Sequence, residues 1–291
     1  MNDTITLALI ASPGHSGQTW LSLLIGSHSR ALSLGEIDVI DGCSNLENVC
    51  MLCGAGCPFW SEFNRIWSPE KNIFFQLAAF SGKQILSISR IDKYRKYIVP
   101  DKMRLKVIRL LRDGRAVTAS YLRKYPERTY EDIVKQWVMS SQLNDSWVSE
   151  CPPEYQMVIR YEDLLENTSA WVGRVCDFLE IDFEEEMLDY WKVKHHIVDG
   201  NRGTLSFVQR HFGKGSEPVD KRFYENQEPD TFRDERWRSE LTSSQRYLFE
   251  RIGGALQKSY GYTLEEKTFN PIRSARCFMV RTGQRLKKIV S

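Results

Sequence analysis

Residues 5–28 read ITLALIASPGHSGQTWLSLLIGSH. The first seven are almost wholly apolar and run into Ser12-Pro13-Gly14. A short apolar run closed by Pro-Gly suits a strand buried on both faces, the kind a parallel sheet uses. Residues 19–28 suit a helix. A strand, a glycine-containing turn and a helix start leave several backbone N–H groups without intrahelical partners, at the positive end of the helix dipole. Such a turn is an anion site in waiting. Gly14 and Gly17 allow a phosphate close to the chain, and the hydroxyls of Ser16 and Thr19 add donors. No lysine follows Gly17, so the G-x-x-x-x-G-K-[ST] pattern is absent and a kinase or ATPase is disfavoured. Taken alone, the turn is equally compatible with a connection that binds nothing.

Outward from this stretch the same alternation continues. Gln84–Ser89, Leu105–Leu111 and Tyr155–Arg160 read as short strands. Arg115–Tyr125, Tyr130–Ser146 (with Thr129 as its cap) and Thr168–Leu179 read as helices, and Thr242-x-x-Gln245 is a capping-box pattern before a long helix stopping near Gly261. Strands alternating with helices predict an α/β fold, a P-loop-like three-layer sandwich with a central, mainly parallel sheet flanked by helices. Residues 1–267 are expected to form one domain, followed by a basic tail over 268–291. Residues 198–236 carry many charges and few apolar runs, which predicts a long loop or lid rather than core.

The chain has 291 residues and a net charge of +2 from 40 basic and 38 acidic residues. The charges are segregated. Residues 90–124 hold twelve Lys and Arg against three acids, and residues 162–189 hold ten acids against one Arg. Such blocks create local fields rather than general affinity for nucleic acid. No apolar span reaches 18 residues and the N-terminus lacks a signal-peptide pattern, so a soluble, cytoplasmic protein is expected.

A second anion element lies in LKVIRLLRDGRAVTASYLRK, residues 105–124. Arg112 ends an apolar strand and Ser120 follows eight residues later, with Arg115 near the helix start. A cation and a hydroxyl could converge there. A solvated helix face explains Arg123 and Lys124 as well as function does, but it explains Arg112 less well.

The two elements together resemble the cofactor signatures of the sulfotransferases that use 3′-phosphoadenosine 5′-phosphosulfate (PAPS). PGHSGQTW is similar to their 5′-phosphosulfate loop, [KR]-S-G-[ST]-T, and RLLRDGRAVTAS to their 3′-phosphate motif. RDGRA is closest to the tyrosylprotein and bacterial branches. RYEDLLEN, CDFLEI, CGAGCPFW, HHIVDGNR and Gly261-Tyr262 add matches in order, so the resemblance spans residues 5–262.

The resemblance implies roles. Gly14, His15, Ser16, Gly17, Gln18 and Thr19 would hold the 5′-phosphosulfate, and Arg112 and Ser120 the 3′-phosphate. Lys124, Tyr161, Arg90 and Asn201 would be further cofactor contacts, and His196 a segment closing over cofactor or acceptor. Arg90 belongs to Ser87-Ile88-Ser89-Arg90, where the bacterial branch usually has Asp-Ser-Ser-Lys; Ser87 loses the acid. Glu36 would be the catalytic base, lying 21 residues after His15 and following a glycine, as in the tyrosylprotein branch. A solvated or structural carboxylate is the competing reading of Glu36.

His15 departs from the family. It stands where an arginine or lysine is usual, and a neutral imidazole offers one donor instead of a permanent fork. Two anionic groups beside it would favour the imidazolium, which could stabilise or protonate the leaving phosphate.

Cys43, Cys50, Cys53 and Cys57 could supply four thiolates to zinc, although their spacing is tighter than a usual ribbon and buried or paired thiols are the alternative. The resemblance requires no metal; the product would be adenosine 3′,5′-bisphosphate. Expected partners are a small-molecule, sugar, lipid or peptide acceptor and no nucleic acid. The tail, with six cations, could touch an anionic membrane or lie in solvent. Two other functions stay open: a nucleotide-binding protein that has reduced or lost transferase activity, and a P-loop-type kinase.

Overall fold

The computed structural model describes residues 4–40, 42–89, 98–99, 101–214 and 220–265. Five strands run through it: β1 (Ile5–Ala11), β2 (Ala31–Glu36), β3 (Ile85–Ser89), β4 (Met103–Leu111) and β5 (Gln156–Arg160). They form one sheet in the order β2-β3-β1-β4-β5, and every pairing is parallel. Parallel strands need covered faces, and the sequence supplies them: Leu7, Ala8, Leu9 and Ile10 of β1 and Val107, Ile108 and Leu110 of β4 are all buried. The α/β class with a parallel sheet and flanking helices is therefore as expected.

Two compact units are distinguished. The first comprises residues 1–112 and 140–233 and contains the whole sheet. Its helices are α1 (Gln18–Gly26), α2 (Pro58–Ile66), α3 (Ile73–Ser81), α6 (Tyr161–Glu166), α7 (Thr168–Leu179), α8 (Arg202–His211) and α9 (Lys221–Glu225). The β1–β2 connection runs toward one sheet edge, and the later crossovers run toward the other. Right-handed crossovers then put α1 on one face and α3 on the opposite face.

The second unit comprises, of the described residues, 113–139 and 234–265. It contains α4 (Gly114–Lys124), α10 (Trp237–Glu240) and α11 (Ser243–Ser259). Helix α5 (Tyr130–Ser149) begins in this unit and ends in the first. The second unit has its own core, in which Trp137 and Phe249 meet at 5.1 Å between ring centroids. Thr242 and Gln245 form the capping box that opens α11.

One expectation fails. Residues 198–236 were expected to be a long loop or lid rather than core, yet α8 buries Leu205, Phe207 and Val208 in the core of the first unit. Its sequence is masked by the charges of the outward face. Its start is held by Asn201, whose side-chain oxygen accepts from the Thr204 N–H at 3.0 Å. The predicted boundary at 267 and the basic tail lie outside the described residues.

Candidate functional site

Ligands of open α/β sheets bind beyond the carboxyl ends of the strands, where neighbouring connections leave in opposite directions. Here that point lies between β1 and β4, since the chain leaves β1 toward β2 and leaves β4 toward β5. Residues 12–17 follow β1, and Arg112 follows β4.

The loop is tightly coiled. His15 has φ 66° and Gly17 has φ 96°, both left-handed. Such alternation turns consecutive N–H groups toward one side, making a concavity suited to an anion. Gly17 is required twice over. It has the left-handed φ, and a Cβ there would sit 2.5 Å from Cδ2 of Tyr161. Ser16 is 1 % exposed, and its hydroxyl has no hydrogen-bond partner among the described residues. A buried hydroxyl left in that state costs about 1–3 kcal/mol, a deficit that an acceptor oxygen on a ligand would remove.

Arg112 braces the loop. Its Nη1 donates to the His15 carbonyl at 2.8 Å, and its guanidinium carbon lies 4.3 Å from the centroid of the Tyr161 ring. Tyr161 is buried, and Trp20 meets it edge-on at 5.7 Å. Tyr161 therefore lies against Gly17 and Arg112.

Glu36 ends β2. The pairing register of β2 with β3 shifts between Ser33 and Gly35, so one extra residue re-aims the strand end. Gly35 has φ 70° and runs against Asp199, whose carbonyl would lie 2.0 Å from any Cβ at that position. The Glu36 N–H donates to that carbonyl at 3.2 Å. Its Oε1 accepts from Gln18 Nε2 at 3.2 Å, and Gln18 Oε1 accepts from the Ser12 hydroxyl at 2.9 Å. Gln18 thus joins the loop to the carboxylate. Thr19 is buried, and its Oγ1 accepts from the Asn201 N–H at 2.8 Å.

Loop, Arg112, Tyr161, Glu36 and Asn201 are gathered within the first unit. Ser120 and Lys124 lie on α4 of the second unit, half-buried and exposed respectively. The Arg115 guanidinium in that unit is bound to Asp113 at 2.7 and 3.0 Å and lies 4.4 Å from the Trp237 ring centroid. Arg90 lies outside the described residues. Ser12, Gly35 and Asp199 were missed from sequence. Ser12 carries no sequence mark beyond preceding Pro-Gly, while Asp199 acts through a backbone carbonyl that any residue could supply.

The cysteines arrange differently from the expectation. Cys43 directs its thiol toward the Val39 carbonyl at 3.7 Å. His196, rather than Cys43, joins Cys50, Cys53 and Cys57. Burial pushes the Cys50 thiol up to about 12 and moves the His196 imidazole below its usual range. Among the described residues no helix is long and apolar enough to cross a membrane.

The sequence matches the family model described as "Sulfotransferase domain" over residues 6–260. Among solved structures, the chain is similar to the sulfotransferase domain of the curacin biosynthetic pathway, with a TM-score of 0.60 and 20% identity over 90% of this chain and 99% of that one. It is also similar to the sulfotransferase domain of the Synechococcus PCC 7002 olefin synthase, with a TM-score of 0.59 and 18% identity over 91% and 97%. No curated protein matched the sequence.

Proposed function

The chain belongs to the sulfotransferase domain family, and from that premise we propose that it moves a sulfuryl group from PAPS to an acceptor hydroxyl or amine, with Glu36 as base. The observation that carries the reading is the link from anion loop to carboxylate through Gln18. It supports a site that binds an anion and accepts a proton beside it.

PAPS would supply the sulfuryl group and a phosphate leaving group. The residues fit it at one end, where the buried Ser16 hydroxyl, without a partner among the described residues, would donate to a phosphate oxygen. Arg112 and Ser120 would take the 3′-phosphate, with Arg90, Lys124, Tyr161 and Asn201 as further contacts. Displacement at sulfur resembles phosphoryl transfer, in which positioning and charge stabilisation do most of the catalysis. Glu36 would take the acceptor proton, and Gln18 would hold the carboxylate in place. An imidazolium at His15 would meet charge developing on the leaving phosphate. The acceptor is a small metabolite, sugar, lipid or peptide. The catalytic body is one domain over residues 1–267.

The test pairs calorimetry with transfer of radiolabelled sulfate from PAPS. Adenosine 3′,5′-bisphosphate should bind and ATP should not. Glu36→Gln should lower turnover by on the order of 10²–10⁴ with little change in bisphosphate affinity. Unchanged turnover in Glu36→Gln removes the base assignment. Bisphosphate binding with neither transfer nor hydrolysis of PAPS would make the chain a nucleotide-binding protein instead.

A further inference from the structure

Residues 50–57 read CMLCGAGC and pack against residues 195–197 in the first unit. The Met51 N–H donates to the Ile197 carbonyl at 2.9 Å, and Trp60 Nε1 donates to the His196 carbonyl at 2.7 Å. These bonds bring a histidine onto three cysteines from which it is separated by about 140 residues in sequence. The four potential ligand atoms lie within 4.8 Å of one another. His196 Nδ1 is 3.2 Å from the Cys57 sulfur and 3.7 Å from the Cys53 sulfur. Tetrahedral zinc, with bonds of about 2.3 Å to sulfur and 2.0–2.1 Å to nitrogen, separates sulfur from nitrogen by roughly 3.6 Å.

The backbone is shaped for such a site. Cys50-x-x-Cys53 is followed by Gly54 with φ 71°, and Gly56 with φ 75° precedes Cys57. The chain can therefore turn back twice within eight residues. The Cys53 N–H donates to the Cys50 sulfur at 3.3 Å, and the Gly54 N–H to the Cys50 carbonyl at 3.0 Å. Cys57 stands at the N-cap of α2, just before Pro58. The His196 ring is fixed by stacking on Phe59 at 4.8 Å and an interplanar angle of 5°.

We propose that Cys50, Cys53, Cys57 and His196 bind a structural zinc ion. Three sulfurs and one imidazole select zinc among abundant divalent metals, and four protein ligands leave no open position for catalysis. Binding releases the three thiol protons, leaving a net charge of −1 on the centre. Lys214, whose Nζ donates to the Leu52 carbonyl at 3.4 Å, lies where it can offset that charge. The ion clamps the segment that continues through Asp199 and Asn201 to the backbone of Glu36 and the hydroxyl of Thr19. Its role is to hold that segment in place.

The full-length chain, purified reduced, stripped of metal and titrated with Co(II) without oxygen, tests this. The expected result is one Co(II) per chain, with a sulfur-to-cobalt charge-transfer band and the intense visible bands of tetrahedral cobalt; Zn(II) should displace it. Cys53→Ser should weaken binding by at least about 100-fold, the upper end of what losing even an outer-shell partner costs, while Cys43→Ser leaves it unchanged. Should Cys53→Ser fail to fold, X-ray absorption at the zinc edge of the wild-type protein decides, with three sulfurs and one nitrogen expected. No cobalt uptake, a weak octahedral spectrum, a different first shell, or equal effects of the two substitutions would overturn the proposal. So would a disulfide among Cys50, Cys53 and Cys57 in the freshly purified protein.

Discussion

Gly17 and His15 show how much one backbone angle can decide. Gly17→Ala must hold a left-handed φ and bring a methyl group to 2.5 Å from the Tyr161 ring. It should destabilise the chain by about 1–3 kcal/mol, read from the denaturant midpoint. Adenosine 3′,5′-bisphosphate affinity, read by calorimetry, should fall at the same time. Tyr161→Leu in the Gly17→Ala background should recover only part of both losses, because the angle remains unfavourable. His15 also has a left-handed φ, which costs a non-glycine residue energy and puts its carbonyl under Arg112. His15→Arg should keep turnover and flatten its dependence on pH between the acid and neutral range. His15→Ala should lose turnover; if rate and pH profile are unchanged, the imidazole has no part in transfer. The substitution at this position was visible in sequence, whereas the left-handed geometry was not, since left-handed histidines carry no sequence mark.

Elements were legible where their own pattern decided them. The apolar run of β1 has to be buried on both faces, and α7 spans Thr168–Leu179 with an amphipathic pattern and an Asn167 cap. β2 was missed because ALSLGE is short and contains the glycine that bends it toward Asp199. α8 was missed because its buried face is only a few residues wide. Lys106 of β4 is 3 % exposed, and its ammonium bonds to the Phe178 carbonyl and, at 2.8 Å, to Glu180. Lys106 and Arg104 hold the Glu180 carboxyl below its usual 4.5. A carboxyl depressed by folding contributes stability above its unfolded pKa and loses it as pH falls through its folded pKa. Glu180 is largely exposed, so its share is about 1 kcal/mol. Glu180→Gln should lower stability by that amount at pH 7, and the gap to wild type should close below pH 4.5, measured by urea denaturation.

For the whole molecule, the alternation of strands and helices was enough to expect the parallel sheet, and the order of short motifs was enough to expect the family. Contacts between distant segments were beyond reach. His196 meets cysteines that sequence had grouped with Cys43, and the Asp199 carbonyl meets a strand some 160 residues earlier. Neither meeting is written in local periodicity, because both depend on where the sheet sends the chain. Adenosine 3′,5′-bisphosphate at one hundred times its dissociation constant should stabilise the fold by about 2.7 kcal/mol, and equimolar ATP should not; a thermal shift with both nucleotides checks it. The junction of Gly35 with Asp199 also fixes an order of events. A nascent chain that has not yet reached residue 199 already contains the loop, Gln18 and Glu36, but lacks the carbonyl that anchors the Glu36 amide. Closing so long a loop is entropically late, so the Glu36 backbone gains this anchor only after residue 199 has been made. A chain paused before that point would hold Glu36 through the Gln18 side chain but not through its own amide.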